Sequence, residues 1–82
     1  MQQERIAKIY NETKHQIAEG LNIYDLIPII YRLIKTEDYE GAEGVNRAVN
    51  ELGVKLEIPE TDAEMNKMYD KIKVLKRIDE GK

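Results

Sequence analysis

Residues 21–34 read LNIYDLIPIIYRLI, and only Asn22, Asp25 and Arg32 in that stretch are polar. No other segment matches this density of large apolar side chains. A helix through it carries, at about 100° per residue, an apolar arc from Ile29 round through Leu33, Leu26, Ile30, Ile34 and Ile27 of roughly 160°, and Tyr31 widens it. An ordinary amphipathic helix needs a stripe of only about 100°. The segment is therefore expected to pack against several neighbours, and to stand at the centre of a helical bundle. Asn22 and Asp25 are both suitable N-caps. Pro28 decides between them, because its missing N–H costs nothing in a first turn but kinks a helix further in. The helix is expected to start near Asp25, with Leu21–Tyr24 as a bent entry.

Working outward, Ile6, Ile9, Tyr10, Thr13 and Ile17 recur at helical spacing before this run, and Gly20 supplies a left-handed stop. Lys8, Glu12, His15 and Glu19 fall on the opposite, solvated side. After the run, Thr36 is a candidate cap for a third helix, with Glu37 and Asp38 favourable to its dipole. Ala42, Val45, Val49 and Leu52 form its stripe. Gly41 and Gly44 each weaken such a helix by up to about 1 kcal/mol, which implies either a close backbone approach or a frayed first turn. Val54, Leu56 and Ile58 alternate with Lys55 and Glu57 up to Pro59, an extended segment with one apolar side. Thr61-Asp-Ala-Glu64 is a capping box. It opens a fourth helix with a main stripe of Met65, Met68, Tyr69, Ile72 and Leu75, while Asp79–Lys82 read as a frayed end. Val74 and Ile78 sit one turn apart on the opposite side of that helix, among Lys67, Lys71 and Lys73.

The expected fold is all-α. It is a small four-helix bundle-like domain over residues 1–82, with helices at about 3–19, 25–35, 37–52 and 62–79 and an extended connector at about 54–58. Short links predict that helices one to three are neighbours and mostly antiparallel. The expected core is Ile6, Ile9, Ile17, Leu26, Ile30, Leu33, Val45, Val49, Leu52, Met65, Met68, Ile72 and Leu75.

A chain of 82 residues buries only roughly 60–65% of its unfolded surface, and self-association commonly reinforces so small a core. Cys is absent, which removes disulfides, thiolate metal sites and thiol nucleophiles. Ser is also absent, so only Thr13, Thr36 and Thr61 could serve as aliphatic hydroxyl nucleophiles. A single histidine, His15, is poor general acid–base equipment near neutral pH. The chain does not read as an enzyme, and no cofactor is expected. Met1 is followed by no apolar run, so no signal peptide is read. The stretch Leu26–Ile34 is too short to span a bilayer. A cytoplasmic protein without membrane association is expected.

The net charge of −3 argues against non-specific nucleic-acid binding, but the charge is uneven. From Thr36 to Glu64 nine acids face two bases, whereas from Lys67 to Arg77 five bases face Asp70 alone. Glu12, His15 and Glu19 have a spacing that could hold a metal, but they oppose the apolar stripe and read as a solvated face. Glu37, Glu40 and Glu43 read as a dipole-compatible first turn. The functional expectation is a small regulatory or adaptor protein acting through protein–protein contacts, as a homodimer. Its partner surface is on the last helix at Val74, Ile78, Lys71 and Lys67. The alternatives are a nucleic-acid-associated regulator using the basic last helix, or an oligomer binding a small ligand or metal with tyrosines, Arg32 and Arg47 as anchors.

Overall fold

The structure is a computed structural model and describes residues 2–80. Four α-helices follow one another: α1 (Gln2–Ala18), α2 (Leu26–Lys35), α3 (Tyr39–Glu51) and α4 (Asp62–Glu80), with a 3-10 turn at Ile23–Asp25 ahead of α2. No strand occurs among the described residues, and the fold is all-α. Residues 81 and 82 of the expected frayed end lie outside the described residues, and Asp79 is still helical.

Local chemistry sets each helix boundary. α1 ends in a Schellman motif. Gly20 takes φ +112°, its N–H bonds to the Ile17 carbonyl, and the Leu21 N–H bonds to the Gln16 carbonyl, each at 3.0 Å. Asn22 and Asp25 are both used at the next start, in different ways. The Asn22 side chain accepts from the Tyr24 N–H at 3.0 Å and caps the 3-10 turn, while Asp25 stands at the α2 N-cap with no side-chain hydrogen bond. Pro28 is the third residue of α2, within the first turn, where a missing donor is tolerated.

One expected cap is displaced. Thr36 does not open α3 but closes α2, its hydroxyl donating to the Arg32 and Leu33 carbonyls at 3.0 and 3.2 Å. The next residue, Glu37, occupies the left-handed region at φ 60°. The Glu37 and Asp38 N–H groups return to the Ile34 and Leu33 carbonyls, a second Schellman motif built without glycine. That reversal leaves Asp38 as the cap of α3, its carboxylate accepting from the Gly41 N–H at 3.1 Å.

α1 and α3 form the largest helix–helix contact, and they run in the same direction. Arg5 meets Asp38 at 2.6 Å, Ile9 meets Gly44, and Lys14 meets Glu51 at 3.4 Å. α2 is the antiparallel return stroke between them, as expected of chain neighbours, and brings the chain back to the end where α1 began, so that the closest helix pair, α1 with α3, is the parallel one. Gly44 makes the pairing possible. A Cβ placed there would lie 2.8 Å from the Ile9 Cβ and 2.9 Å from the Ile6 carbonyl oxygen. Gly41 instead leaves room for the Asp38 cap.

The hub is α3 rather than α2. Gly41, Ala42, Gly44, Val45, Ala48 and Val49 of α3 are buried, against Leu26, Ile27 and Ile30 of α2. Side-chain size explains the reversal, because small residues let neighbouring backbones approach on more than one side. Large ones hold neighbours off, and Ile29 and Ile34 of α2 remain exposed. The wide arc of α2 still has a use, since it faces two separate clusters. Leu26 and Ile30 join Ala42, Val45 and Val49, with Ile9, Ile17, Leu21 and Leu33 around them. Ile27 turns the other way to join Met65 and Ile72 of α4, flanked by Met68. Ile6 is buried as well, and Leu75 is half-buried. Leu52, expected in the core, is 54% exposed. It stands at the C-cap of α3, where its stripe runs past the surface that would cover it and walls an open groove with Ile17, Ala18 and Ala48.

The segment 54–59 is extended, with Val54, Leu56 and Ile58 half-buried and Lys55 and Glu57 exposed. Leu56 and Ile58 pack against both clusters, so the connector staples α4 to the rest. Thr13 is the one buried polar side chain among the described residues, and its hydroxyl donates to the Ile9 carbonyl at 2.7 Å.

Two substitutions should move stability in opposite directions. Gly44→Ala gains about 1 kcal/mol of helix propensity but overpacks a backbone contact at a cost of about 2–3 kcal/mol, the upper part of the usual range because the neighbour is backbone, so a net loss of about 1–2 kcal/mol is expected in urea denaturation. Glu37→Gly relieves a left-handed backbone and should raise the urea midpoint, by up to about 1 kcal/mol of stability.

Candidate interaction surface

The surface singled out by the sequence lies on α4, and its orientation follows from where that helix starts. Thr61 Oγ1 accepts from the Glu64 N–H at 3.2 Å, and the Glu64 carboxylate reaches back to the Glu60 N–H at 3.3 Å. This is a capping box shifted by one residue on its return arm. With the start so held, Met65 and Ile72 turn inward and are buried. At 100° per residue, Val74 and Ile78 must then point away from that face. They are 54% and 59% exposed.

Lys67 and Lys71 lie on the same exposed side. Lys71 Nζ contacts Glu57 of the connector at 3.0 Å. Lys73 and Arg77 are exposed on α4 as well. Lys76 behaves differently: it is half-buried and pairs with Asp25 at 3.0 Å, tying the far half of α4 to the entry of α2. Surface pairs of this kind contribute about 0–1 kcal/mol each. They orient the helix more than they stabilise it.

A second feature was not foreseen from the sequence. Tyr31, Ile34, Tyr39 and Ile58 wall a groove of about 560 Å³, with Pro59 buried in its wall and Lys35, Glu37 and Glu60 at its rim. Ile34 and Tyr39 are 40% and 62% exposed. The Tyr31 hydroxyl donates to Asp62, and its ring lies 5.4 Å from the Lys35 ammonium. Partial burial, then the hydrogen bond and charge of Asp62, push the Tyr31 pKa up from 10.0 to about 12. These residues come from the end of α2, the start of α3 and the connector. Tyr31 and Ile34 share the apolar arc of α2, but no periodicity links them to Tyr39 or Ile58, so no sequence signal short of the α2–α3 reversal could have assembled the groove.

At the other end of the α1–α3 pair, Glu51 accepts from the Tyr10 hydroxyl and contacts Lys14. Lys14 also lies 5.1 Å from the Tyr10 ring. The Tyr10 hydrogen bond foremost, and Lys14 after it, lower the Glu51 pKa. The same tyrosine and Glu51 raise that of Lys14. The triad faces solvent and works as a clasp between helices.

The remaining candidate chemistry is dispersed. His15 Nε2 lies 2.9 Å from Glu19, with both side chains about two-thirds or more exposed, and Glu12 is exposed beside them. Among the described residues no group of three or more His, Cys, Asp and Glu side chains could hold a metal ion. Glu37, Glu40 and Glu43 do not converge, because Glu37 belongs to the turn and Glu43 pairs with Arg47 at 2.9 Å. Arg32 is exposed on α2. Among the described residues no helix is long and apolar enough to cross a membrane.

No family model matches the chain, and no curated protein or solved structure shows significant similarity to it.

The Tyr31 environment has a consequence in alkali. The group binds its proton more tightly folded than unfolded, so its contribution is intact below about pH 10 and is lost as pH rises toward about 12. In Tyr31→Phe that component of the alkaline loss should vanish, as read by thermal unfolding across this pH range. An unchanged alkaline profile would contradict the assignment.

Proposed function

We propose that this is a small non-enzymatic regulatory or adaptor protein that acts through protein–protein contacts as a homodimer, with the outer face of α4 as its contact surface. One observation carries the reading: among the described residues α4 has two apolar faces, and only one of them is covered. Met65 and Ile72 are buried against Ile27, whereas Val74 and Ile78 are more than half exposed on the opposite side. Isolated surface hydrophobes are ordinary. Two adjacent β-branched residues flanked by long cationic stems form instead an apolar centre with a charged rim, the usual anatomy of a protein contact. The residue inventory supports the non-enzymatic part, since Ser and Cys are absent and the single histidine stands exposed beside Glu19.

The test is the mass in solution. Light scattering behind size-exclusion chromatography should show a species heavier than the 9.6 kDa chain at concentrations up to about 100 μM. Val74→Asp/Ile78→Asp should return it to monomer with an unchanged far-ultraviolet circular dichroism spectrum, because neither side chain is buried. A wild-type protein that stays at monomer mass throughout would sink the dimer. A double variant that keeps the dimer mass would move the contact elsewhere.

A further inference from the structure

The outer strip of α4 is apolar with a cationic surround, and the groove beside Tyr31 is concave with an acidic rim. The strip presents two aliphatic side chains among Lys67, Lys71, Lys73 and Arg77, with Asp70 one turn before Val74 and Lys71 paired with Glu57; its balance is cationic. The groove presents an apolar concavity of about 560 Å³, within the range of concave sites that take apolar groups. Its rim carries Glu37 and Glu60 against Lys35, and Asp62, bonded to the Tyr31 hydroxyl, adds a third carboxylate at its wall. Of the nine acids over residues 36–64, Glu37, Glu60 and Asp62 stand at the groove, while Asp38, Glu43, Glu51 and Glu57 are paired with Arg5, Arg47, Lys14 and Lys71.

Within one chain they cannot meet. α4 begins at Asp62, next to the groove, and a helix rises about 1.5 Å per residue, so Val74 and Ile78 lie about 18–24 Å further along. Rotation of α4 is blocked as well, because Met65 and Ile72 are seated on Ile27 and Lys76 is paired with Asp25. A strip and a groove that match but are held apart on one molecule can be satisfied by a second molecule.

We propose that Val74 and Ile78 of one copy dock into the Tyr31–Ile34–Tyr39–Ile58 groove of a second copy, with the α4 cations against Glu37 and Glu60. The proposal rests on the self-association put forward above and names its two surfaces. A two-fold axis that exchanges strip and groove reciprocally makes the contact twice and closes the assembly as a dimer. Opposite charges at the rim speed encounter and reject other registers. The contact weakens as salt screens them.

Reciprocal charge reversal tests it. Lys67→Glu/Arg77→Glu gives the strip the charge of the groove, and leaves the Lys71–Glu57 pair intact. Glu37→Lys/Glu60→Lys gives the groove the charge of the strip. All four side chains are exposed, and circular dichroism verifies that the helices persist. Each double variant alone should associate at least about tenfold more weakly than wild type by analytical ultracentrifugation. An equimolar mixture of the two should recover the wild-type affinity, because both contacts of the mixed dimer are then complementary. A wild-type dimer whose groove variant associates normally, or whose variants fail to rescue each other, overturns this pairing while leaving self-association through α4 in place. A wild type that remains monomeric, including one that binds an anionic duplex or another protein through α4 instead, overturns both.

Discussion

Ile9 and Gly44 approach so closely that a methyl group in place of the Gly44 hydrogen would meet the Ile9 Cβ at 2.8 Å and the Ile6 carbonyl at 2.9 Å. The remaining architecture depends on that contact. It sets the separation of α1 and α3. Arg5 with Asp38 at one end, and Tyr10 and Lys14 with Glu51 at the other, then hold the pair in the same sense along its length. The two charged ends add little energy on their own, since exposed pairs are mostly screened. They select one sliding position among several that small residues on α3 would otherwise permit.

With α1 and α3 parallel, α2 must return the chain across them, and its unusual hydrophobicity follows from that position. Leu26 and Ile30 face the α1–α3 cluster, while Ile27 faces α4. A one-sided helix could not serve both clusters. Leu56 and Ile58 of the connector span the same divide. α4 is attached through the smaller cluster, the connector and the Lys76–Asp25 pair. Fewer buried apolar contacts go with a lower cost of local opening, so α4 is expected to be the least firmly held of the four helices.

The proposed interface divides into a half that was legible in the sequence and a half that was not. Val74 and Ile78 are four residues apart on one helix. The capping box at Thr61 fixes the phase of that helix, so their opposition to Met65 and Ile72 follows from 100° per residue. Tyr31, Ile34, Tyr39 and Ile58 belong to three different segments. Ile34 and Tyr39 are brought together because Glu37 adopts a left-handed conformation that a glycine would ordinarily supply, which nothing in the local composition announces, and Ile58 joins them through the packing of the connector. The same reversal moved the α3 cap from Thr36 to Asp38 and carried Thr36 back onto α2.

By itself the sequence determined the all-α class, the four helices to within about two residues at each end, the connector and the outward face of α4; of its expected inward stripe only Tyr69 departs, being 44% exposed. Each of these depends on interactions within a turn or two, which periodicity, caps and breakers encode directly. Tertiary structure alone decided that α3 rather than α2 is the hub, that α1 and α3 run parallel, that Leu52 lies open, and that a groove forms beside Tyr31. The apolar run at 21–34 advertised side-chain size, and size suggested a centre. Close approach of backbones depends on the absence of side chains, and at Gly44 it took the packed structure to show which neighbour would fill that space.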